Sequence, residues 1–231
     1  MSARGWMAGF VTVAVLGAGA VVADRVAADR AEQEVSDAIV ANLEDVQGEP
    51  QVDVPGFPFL PQLLRGSIED LDARVDGATV GGIAMTDVRV AARETSTSAP
   101  HAMGEAVLTA TVPTASLEKA IAERAGAAVT VTVDGNRLAM AGDVFGLALA
   151  AGLVPRVEEG RLLVDVDRLT LDGVQVDVSA LPEQTGDRLT DLEVPIEGLP
   201  EGLTLTGAEV VADGLRVTAA GTDVVLPANA P

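Results

Sequence analysis

The sequence of 231 residues carries a formal net charge of −20 and only 2% aromatic residues. This charge disfavours nucleic acid as a partner and adhesion to an anionic bilayer through a basic patch, and the few rings disfavour a pocket that stacks nucleotides or aromatic cofactors. Because cysteine is absent, disulfides and thiolate metal sites are excluded.

The first segment, residues 1–23, is predicted to be an export signal. No charged residue occurs from Gly5 to Ala23, while Arg4 precedes this stretch and Asp24 follows it. Small residues near its end would suit a signal peptidase, and its length would also suit an uncleaved signal anchor, which we favour slightly. Either alternative places the rest of the chain outside the cytoplasmic membrane, tethered to that membrane or secreted into the periplasm or cell envelope.

Residues 24–47 are predicted to form one amphipathic helix that ends before Gly48. The segment lacks glycine and proline, and apolar residues recur in it at spacings of three and four. Its apolar stripe needs a partner surface, whereas its acidic face is expected to be solvated. The residues of the stripe are Ala31, Val35, Ala38, Ile39 and Val46.

The stretch "VDVPGFPFLPQLLRG", Val52 to Gly66, combines prolines with large apolar residues. Proline disfavours helical conformation in the residue before it, so Phe57 and Leu60 are predicted to be extended or turned. A single helical turn should follow from Pro61 and end at Gly66. We call the expected product the plug, a stiff apolar unit between the long helix and the first hairpin, formed by Phe57, Phe59, Leu60, Leu63 and Leu64.

Two interpretations of the plug stay open. Buried Phe and Leu residues are by default part of a core. Alternatively, some of these side chains line a cavity for acyl chains. Arg65, directly after them, is the candidate for binding a lipid phosphate, although a solvated side chain or a charge at a helix C-terminus is the commoner role of such a residue.

After Gly66 the apolar period becomes two, which predicts strands with one dry face. The alternating runs start at Leu71, Val88, Ala106, Val129, Leu162, Val174 and Leu215. Turn dipeptides separate them and predict antiparallel hairpins, namely Asp76-Gly77, Gly81-Gly82, Asp134-Gly135, Glu159-Gly160, Asp172-Gly173 and Asp213-Gly214. One helix should interrupt the strands, from Thr114 to Gly126, burying Leu117, Ala120 and Ile121. Residues 48–226 are thus predicted to be one α+β domain, and residues 227–231 a disordered tail.

No catalytic or metal-binding constellation is evident. His101 is the single histidine, so neither a Ser/His/Asp relay nor a zinc site can be assembled around it, and a surface position is expected. The many carboxylates lie mostly at polar strand positions and in turns, where they keep a face soluble. We therefore predict a protein that is not an enzyme and needs no cofactor or metal.

The plug sequence, together with "DGATVGGIAMTDVRV", "ATVPTASLEKAI" and "VPIEGLPEGLTLTGAEVVADGLRVTAAGTDVVL", resembles the LmeA family of actinobacterial envelope proteins, which are described as phospholipid-binding. The resemblance implies a fold like that of the tubular lipid-binding proteins. In that fold a strongly curved, mostly antiparallel meander sheet wraps around a long N-terminal helix and leaves an apolar cavity. It also implies an accessory role in the elongation of lipomannan, and it supplies no catalytic residues.

The expected function is therefore that of an extracytoplasmic protein that sequesters or transfers a phospholipid or polyprenyl-type lipid during envelope assembly. A first alternative is an acidic, membrane-anchored scaffold that recruits envelope glycosyltransferases. A second is a glycan hydrolase with two facing carboxylates, which the absence of tyrosine and the single tryptophan disfavour.

Overall fold

The structure is a computed structural model that describes residues 3–98, 101–125, 128–144, 147–176, 192–194, 196 and 199–225. The predicted tail, the helix end at Gly126 and Val178 lie outside these residues. The helices are α1 (Ala3–Asn42), α2 (Leu60–Arg65) and α3 (Thr114–Ala125). The strands are β1 (Glu44–Gln47), β2 (Gln51–Asp53), β3 (Ser67–Val80), β4 (Ile83–Ser96), β5 (Ala102–Pro113), β6 (Val129–Asp134), β7 (Arg137–Val144), β8 (Leu147–Glu158), β9 (Arg161–Leu171), β10 (Val174–Val176), β11 (Leu192–Val194), β12 (Glu201–Val211) and β13 (Gly214–Val225).

The strands form two separate antiparallel sheets. The larger has seven strands in the order β1-β3-β4-β5-β13-β12, and β2 pairs with β3 beside β1. The smaller has six strands in the order β10-β9-β8-β7-β6, with β11 also paired to β9. Hairpins connect most sequential neighbours, as the turn dipeptides predict. Besides its hairpin with β12, β13 pairs with β5, which is distant in sequence, in a register that joins Leu215 to Val112 and Ala219 to Leu108.

The dry faces of both sheets bury the apolar positions that the period of two predicts. In the large sheet, Leu71, Val75, Ala92 and Ala106 are buried. Near β12 and β13 the two sheets share a cluster that contains Val131, Leu138 and Leu162 from the small sheet and Leu205, Leu215 and Ala219 from the large one. Helix α3 closes this cluster with Leu117 and Ile121, as predicted.

Helix α1 packs on the other part of the large sheet. Ala28 is buried against β3, β4 and β5, and Ala31 and Val35 pack at its side, while Ile39 joins a second cluster around Val75 and Val88. Within the described part of the chain, no helix is both long and apolar enough to cross a membrane.

The predicted helix over residues 24–47 is too long at its C-terminal end. Helix α1 stops at Asn42, and residues 44–47 form β1 instead, with Glu44 opposite Thr79 on β3. Asp45 takes a positive φ of 50° and accepts a hydrogen bond from the Thr79 hydroxyl at 3.2 Å. Strand pairing therefore replaces the last helical turn. Ala38, which we placed in the apolar stripe, is exposed.

Two details of the strand prediction are wrong. Asp76-Gly77 is not a turn, because both residues lie within β3. A Cβ on Gly77 would approach the Gln47 side chain and the Met85 carbonyl to 3.1 Å, so this glycine permits close packing of β1 instead. Val174, predicted to face the dry side, is 67% exposed because β10 is a short strand at the sheet edge.

The fold class is confirmed at the level of a mostly antiparallel β structure with an N-terminal helix. In the residues described, neither sheet closes into a barrel. Helix α1 lies along one face of the large sheet, in contact with α2 and β2. The strong curvature of the sheet and the apolar cavity stay predictions.

Candidate functional site

The plug segment lies between α1 and the first strands of the large sheet. Phe59 is completely buried, and Val54 is almost so. Both belong to one apolar cluster with Ala28 of α1. The other buried members are Ile68, Leu71, Ala92, Met103, Ala106 and Val224. The segment thus covers a strip of the dry sheet face on which small and medium side chains predominate.

Prolines and glycines set the local conformation of the plug. Gly56 has a φ of 113°, which favours glycine, and the Phe57-Pro58 bond is cis. Pro61 occupies the first turn of α2, where a missing N–H is tolerated, and Gly66 ends the helix in the left-handed conformation. Leu60, predicted to be extended or turned, is instead the first helical residue. Its backbone N–H is satisfied by a side chain of α1, which favours the helical start at this position.

Carboxylates of α1 accept hydrogen bonds from the backbone of the plug segment, Val52 to Gly66. Asp24 Oδ1 accepts a hydrogen bond from the Leu60 N–H at 2.7 Å, and Glu32 Oε1 accepts one from the Val54 N–H at 3.1 Å. On the opposite side, the buried Gln62 accepts a hydrogen bond from the Glu69 N–H at 3.0 Å. Three side-chain acceptors therefore fix the segment to its two neighbours.

Sequence reasoning missed these three acceptors, although one signal was present. Asp24 precedes Ala28 by four residues and Ala31 by seven, so it lies on the buried face of α1. A carboxylate at such a position requires a hydrogen-bond donor. The donor could not be identified beforehand, because it is a backbone amide distant in sequence.

The environment of Asp24 lowers its pKa. The side chain is 3% exposed, and its Oδ2 atom has no hydrogen-bond partner among the described residues. The backbone amide of Phe59 lowers the pKa most, burial opposes this effect, and the Leu60 amide and the charge of Arg25 lower it further. Asp24 is thus ionised in the folded protein near neutral pH.

We expect Asp24→Asn to remove part of the pH dependence of stability. Because the pKa of Asp24 is lower in the folded state, its ionised form stabilises the fold above the unfolded-state pKa, about 3.9. That contribution is lost as the pH falls through the folded pKa. Urea unfolding of the full chain from pH 7 to pH 3 should show Asp24→Asn less stable at pH 7, with the difference shrinking in acid. The control is Asp29→Asn, at an exposed position of α1; equal curves for the two variants would contradict the expectation.

The structure separates the five plug residues into buried and exposed groups. Phe59 is in the core and Leu60 is partly buried. In contrast, Phe57 is 56% exposed, Leu63 is 43% exposed and Leu64 is 88% exposed. The Arg25 guanidinium lies 5.5 Å from the centre of the Phe57 ring. Phe59 is therefore the inner residue of the plug, and we call its three exposed residues, Phe57, Leu63 and Leu64, the outer side.

Arg65, the candidate for binding a phosphate, lies at the end of α2 beside the outer side. Its guanidinium is paired with Glu69 at 2.6 Å, and both side chains are well exposed. An exposed ion pair one helical turn apart in sequence contributes well under 1 kcal/mol, so a phosphate can compete for this guanidinium.

The described residues show two further surface features, a groove and the single histidine. A groove of about 410 Å³ lies on the polar face of the large sheet, lined in part by Asp72, Arg74, Arg89, Val107 and Thr109. No group of three or more His, Asp or Glu residues within the described ranges is arranged to hold a metal ion. His101 is exposed, and its Nδ1 lies 3.2 Å from the Ser96 carbonyl oxygen.

Comparison with known proteins identifies the family of the chain. The family model described as LmeA-like phospholipid-binding matches residues 22–220, which include α2, both sheets and most of β13. Neither a curated protein nor a solved structure matches the chain. Because the family match covers most of the chain, the protein belongs to the LmeA-like phospholipid-binding family.

Proposed function

We propose that this protein works outside the cytoplasmic membrane, where it sequesters or transfers a phospholipid or a polyprenyl-type lipid during assembly of envelope lipoglycans. The match to a phospholipid-binding family over residues 22–220 carries this proposal. The uncharged stretch from Gly5 to Ala23 supports the location, since it has the length and composition of an export signal or anchor.

The strip of large sheet beneath the plug is the proposed place for the lipid chain. Its floor includes Leu71, Ala92 and Ala106, which are apolar and mostly small. Displacement of Phe59 from this floor would leave room for an acyl chain, and each methylene taken out of water contributes about 0.8 kcal/mol. The hydrogen bonds that Asp24 and Glu32 accept from the Leu60 and Val54 amides would keep the plug closed when no lipid is present.

Arg65 is the proposed partner of the lipid phosphate. It lies at the end of α2, and its ion-pair partner among the described residues is the exposed Glu69. A guanidinium can bind two phosphate oxygens at once, a geometry that a lysine does not offer. On this proposal the lipid would lie with its chain under the plug and its phosphate beside α2.

The direct test is native mass spectrometry of the full chain purified from its own host, followed by extraction and identification of any co-purified lipid. We expect a one-to-one complex with a phosphate-bearing lipid. Arg65→Ala should reduce the bound fraction, whereas Arg168→Ala, a change of an exposed arginine on the small sheet, should not. Lipid-free protein that also fails to take up any envelope lipid would contradict the proposal.

A scaffold that recruits envelope glycosyltransferases is the second candidate, and the net charge of −20 favours it. Crosslinking in intact cells separates the two functions. A scaffold would still be crosslinked to its enzymes after lipid binding is abolished. A lipid carrier would have the same lipid bound whether or not an enzyme is crosslinked to it.

A further inference from the structure

We propose that the outer side of the plug is a docking surface for a phospholipid bilayer. We define the α2 tip as Phe57, Leu63 and Leu64. Docking describes how the protein meets a membrane, and it rests on the proposed function in that the partner is a phospholipid and the uncharged N-terminal stretch stays at the membrane. It does not require that a lipid chain lies under the plug.

The α2 tip is exposed to solvent. Phe57, Leu63 and Leu64 lie within eight residues of one another in sequence, and all three are exposed while Phe59 between them is fully buried. Leu64 in particular presents nearly its whole side chain to solvent. Exposing three large apolar side chains to water is unfavourable. The hydrogen bonds of Leu60 to Asp24 and of Glu69 to Gln62 hold the backbone of α2 in this position. A surface of this kind indicates a partner.

The α2 tip also lies beside the point where α1 enters the domain. Asp24 is the first residue of α1 described as buried, and its carboxylate holds the Leu60 amide at 2.7 Å. Residues 20–23, directly before it, are exposed and uncharged, and they continue the uncharged stretch that begins at Gly5. If this stretch is retained as an anchor in the membrane, the bilayer that holds it lies next to the α2 tip.

Two arginines lie next to residues of the tip. The chain as a whole is strongly acidic, yet Arg25 lies over the Phe57 ring and Arg65 directly follows Leu64. The carboxylate of Asp24 accepts a hydrogen bond from the Leu60 amide, and Arg65 is paired with the exposed Glu69. Arginine next to an aromatic ring suits the interface of a bilayer, where phosphates lie above the apolar region.

These three observations favour a bilayer over a second copy of this chain. A second copy of this chain would bring a further net charge of −20 against the same surface. A lipid surface made of zwitterionic phospholipid carries no such repulsion, and it accepts the uncharged stretch and the α2 tip together. The tip would enter only the headgroup region and the upper acyl chains, because α2 is a single short helix.

The absence of cysteine allows a site-specific test. Leu64→Cys is labelled with an environment-sensitive fluorophore, and the full chain is reconstituted into phosphatidylcholine vesicles that carry a nitroxide in the headgroup region. The control is Val174→Cys, an apolar position on the small sheet that is 67% exposed, against 88% for Leu64. We expect strong loss of fluorescence at position 64 and none at position 174, with a blue shift at position 64 only. Equal quenching at the two positions would overturn the proposal. A blue shift that appears without quenching and depends on protein concentration would overturn it as well, since another protein copy would then cover the tip.

A second variant tests whether the tip contributes to docking. Leu63→Ser combined with Leu64→Ser should reduce quenching of a label at Phe57→Cys, whereas Val174→Ser should leave it unchanged. Circular dichroism of each variant confirms that the fold is retained. The lipid content of the same preparations separates this inference from the proposed function. Quenching at the tip without any co-purified lipid would leave docking intact and contradict lipid carriage. A bound lipid without quenching at the tip would contradict docking alone.

Discussion

Replacing Phe59 with Ala is expected to lower the free energy of unfolding by about 3–5 kcal/mol, the usual range for removing a buried phenylalanine ring. Phe59 is completely buried, and its cluster draws on α1 and on strands β3, β4, β5 and β13. The ring therefore joins the plug to the helix and the sheet together. Small neighbours such as Ala28 and Ala92 cannot extend into the space that its loss would leave.

Phe57→Ala is the matched control, because the same residue type occurs two positions earlier with more than half of its surface exposed. Its loss removes the contact with Arg25, and we expect a decrease of no more than about 1 kcal/mol. Urea unfolding of the full chain, followed by far-ultraviolet circular dichroism, measures both variants. Similar values for the two would show that the plug is not packed as described.

The second large effect is expected for Gly221→Ala in β13. A Cβ at this position would overlap the Gly202 carbonyl oxygen and lie 2.8 Å from the Gly202 carbonyl carbon. Both are backbone atoms of the neighbouring strand, so the hairpin of β12 and β13 must separate locally. We expect a loss of about 3 kcal/mol, the upper part of the range for an overpacked site.

Gly207→Ala tests the same hairpin without the overlap. Its added methyl group would come no closer than 3.8 Å to the Thr218 side chain. We expect its stability to remain within about 1 kcal/mol of the original protein, since the loss of chain entropy in the unfolded state offsets small adjustments. If thermal melting gives equal midpoints for the two variants, the close approach of Gly202 and Gly221 is not maintained in solution.

Much of the fold could be predicted because two-residue periodicity directly specifies which face of a strand is dry. Leu71 and Val75, like Leu215 and Ala219, are buried for this reason. Periodicity does not specify which strands are neighbours, so the pairing of β13 with β5 could not be predicted. Periodicity also fails to predict burial in short edge strands, as Val174 shows. In the sequence, a glycine that permits close packing, such as Gly77, looks the same as a glycine in a turn.

The plug could be located from its prolines and its large apolar residues, but its two sides could not be distinguished. Phe57 and Phe59 are equivalent in type and differ only because the backbone around Pro58 directs one outward and the other inward. The hydrogen bond from Leu60 to Asp24 depends on a contact between residues 36 positions apart. Such a contact follows from the packing of α1 on the sheet, which no local pattern contains.

The pairing of β13 with β5 sets the order in which the molecule can be completed. Residues 214–225 fill the place beside residues 102–113, and the whole small sheet lies between them in sequence. A chain made from its N-terminus therefore carries β5 with an unpaired edge until residues 214–225 have emerged. Loss of β13 would leave that edge open to pairing with other chains, so truncation before residue 214 should promote aggregation.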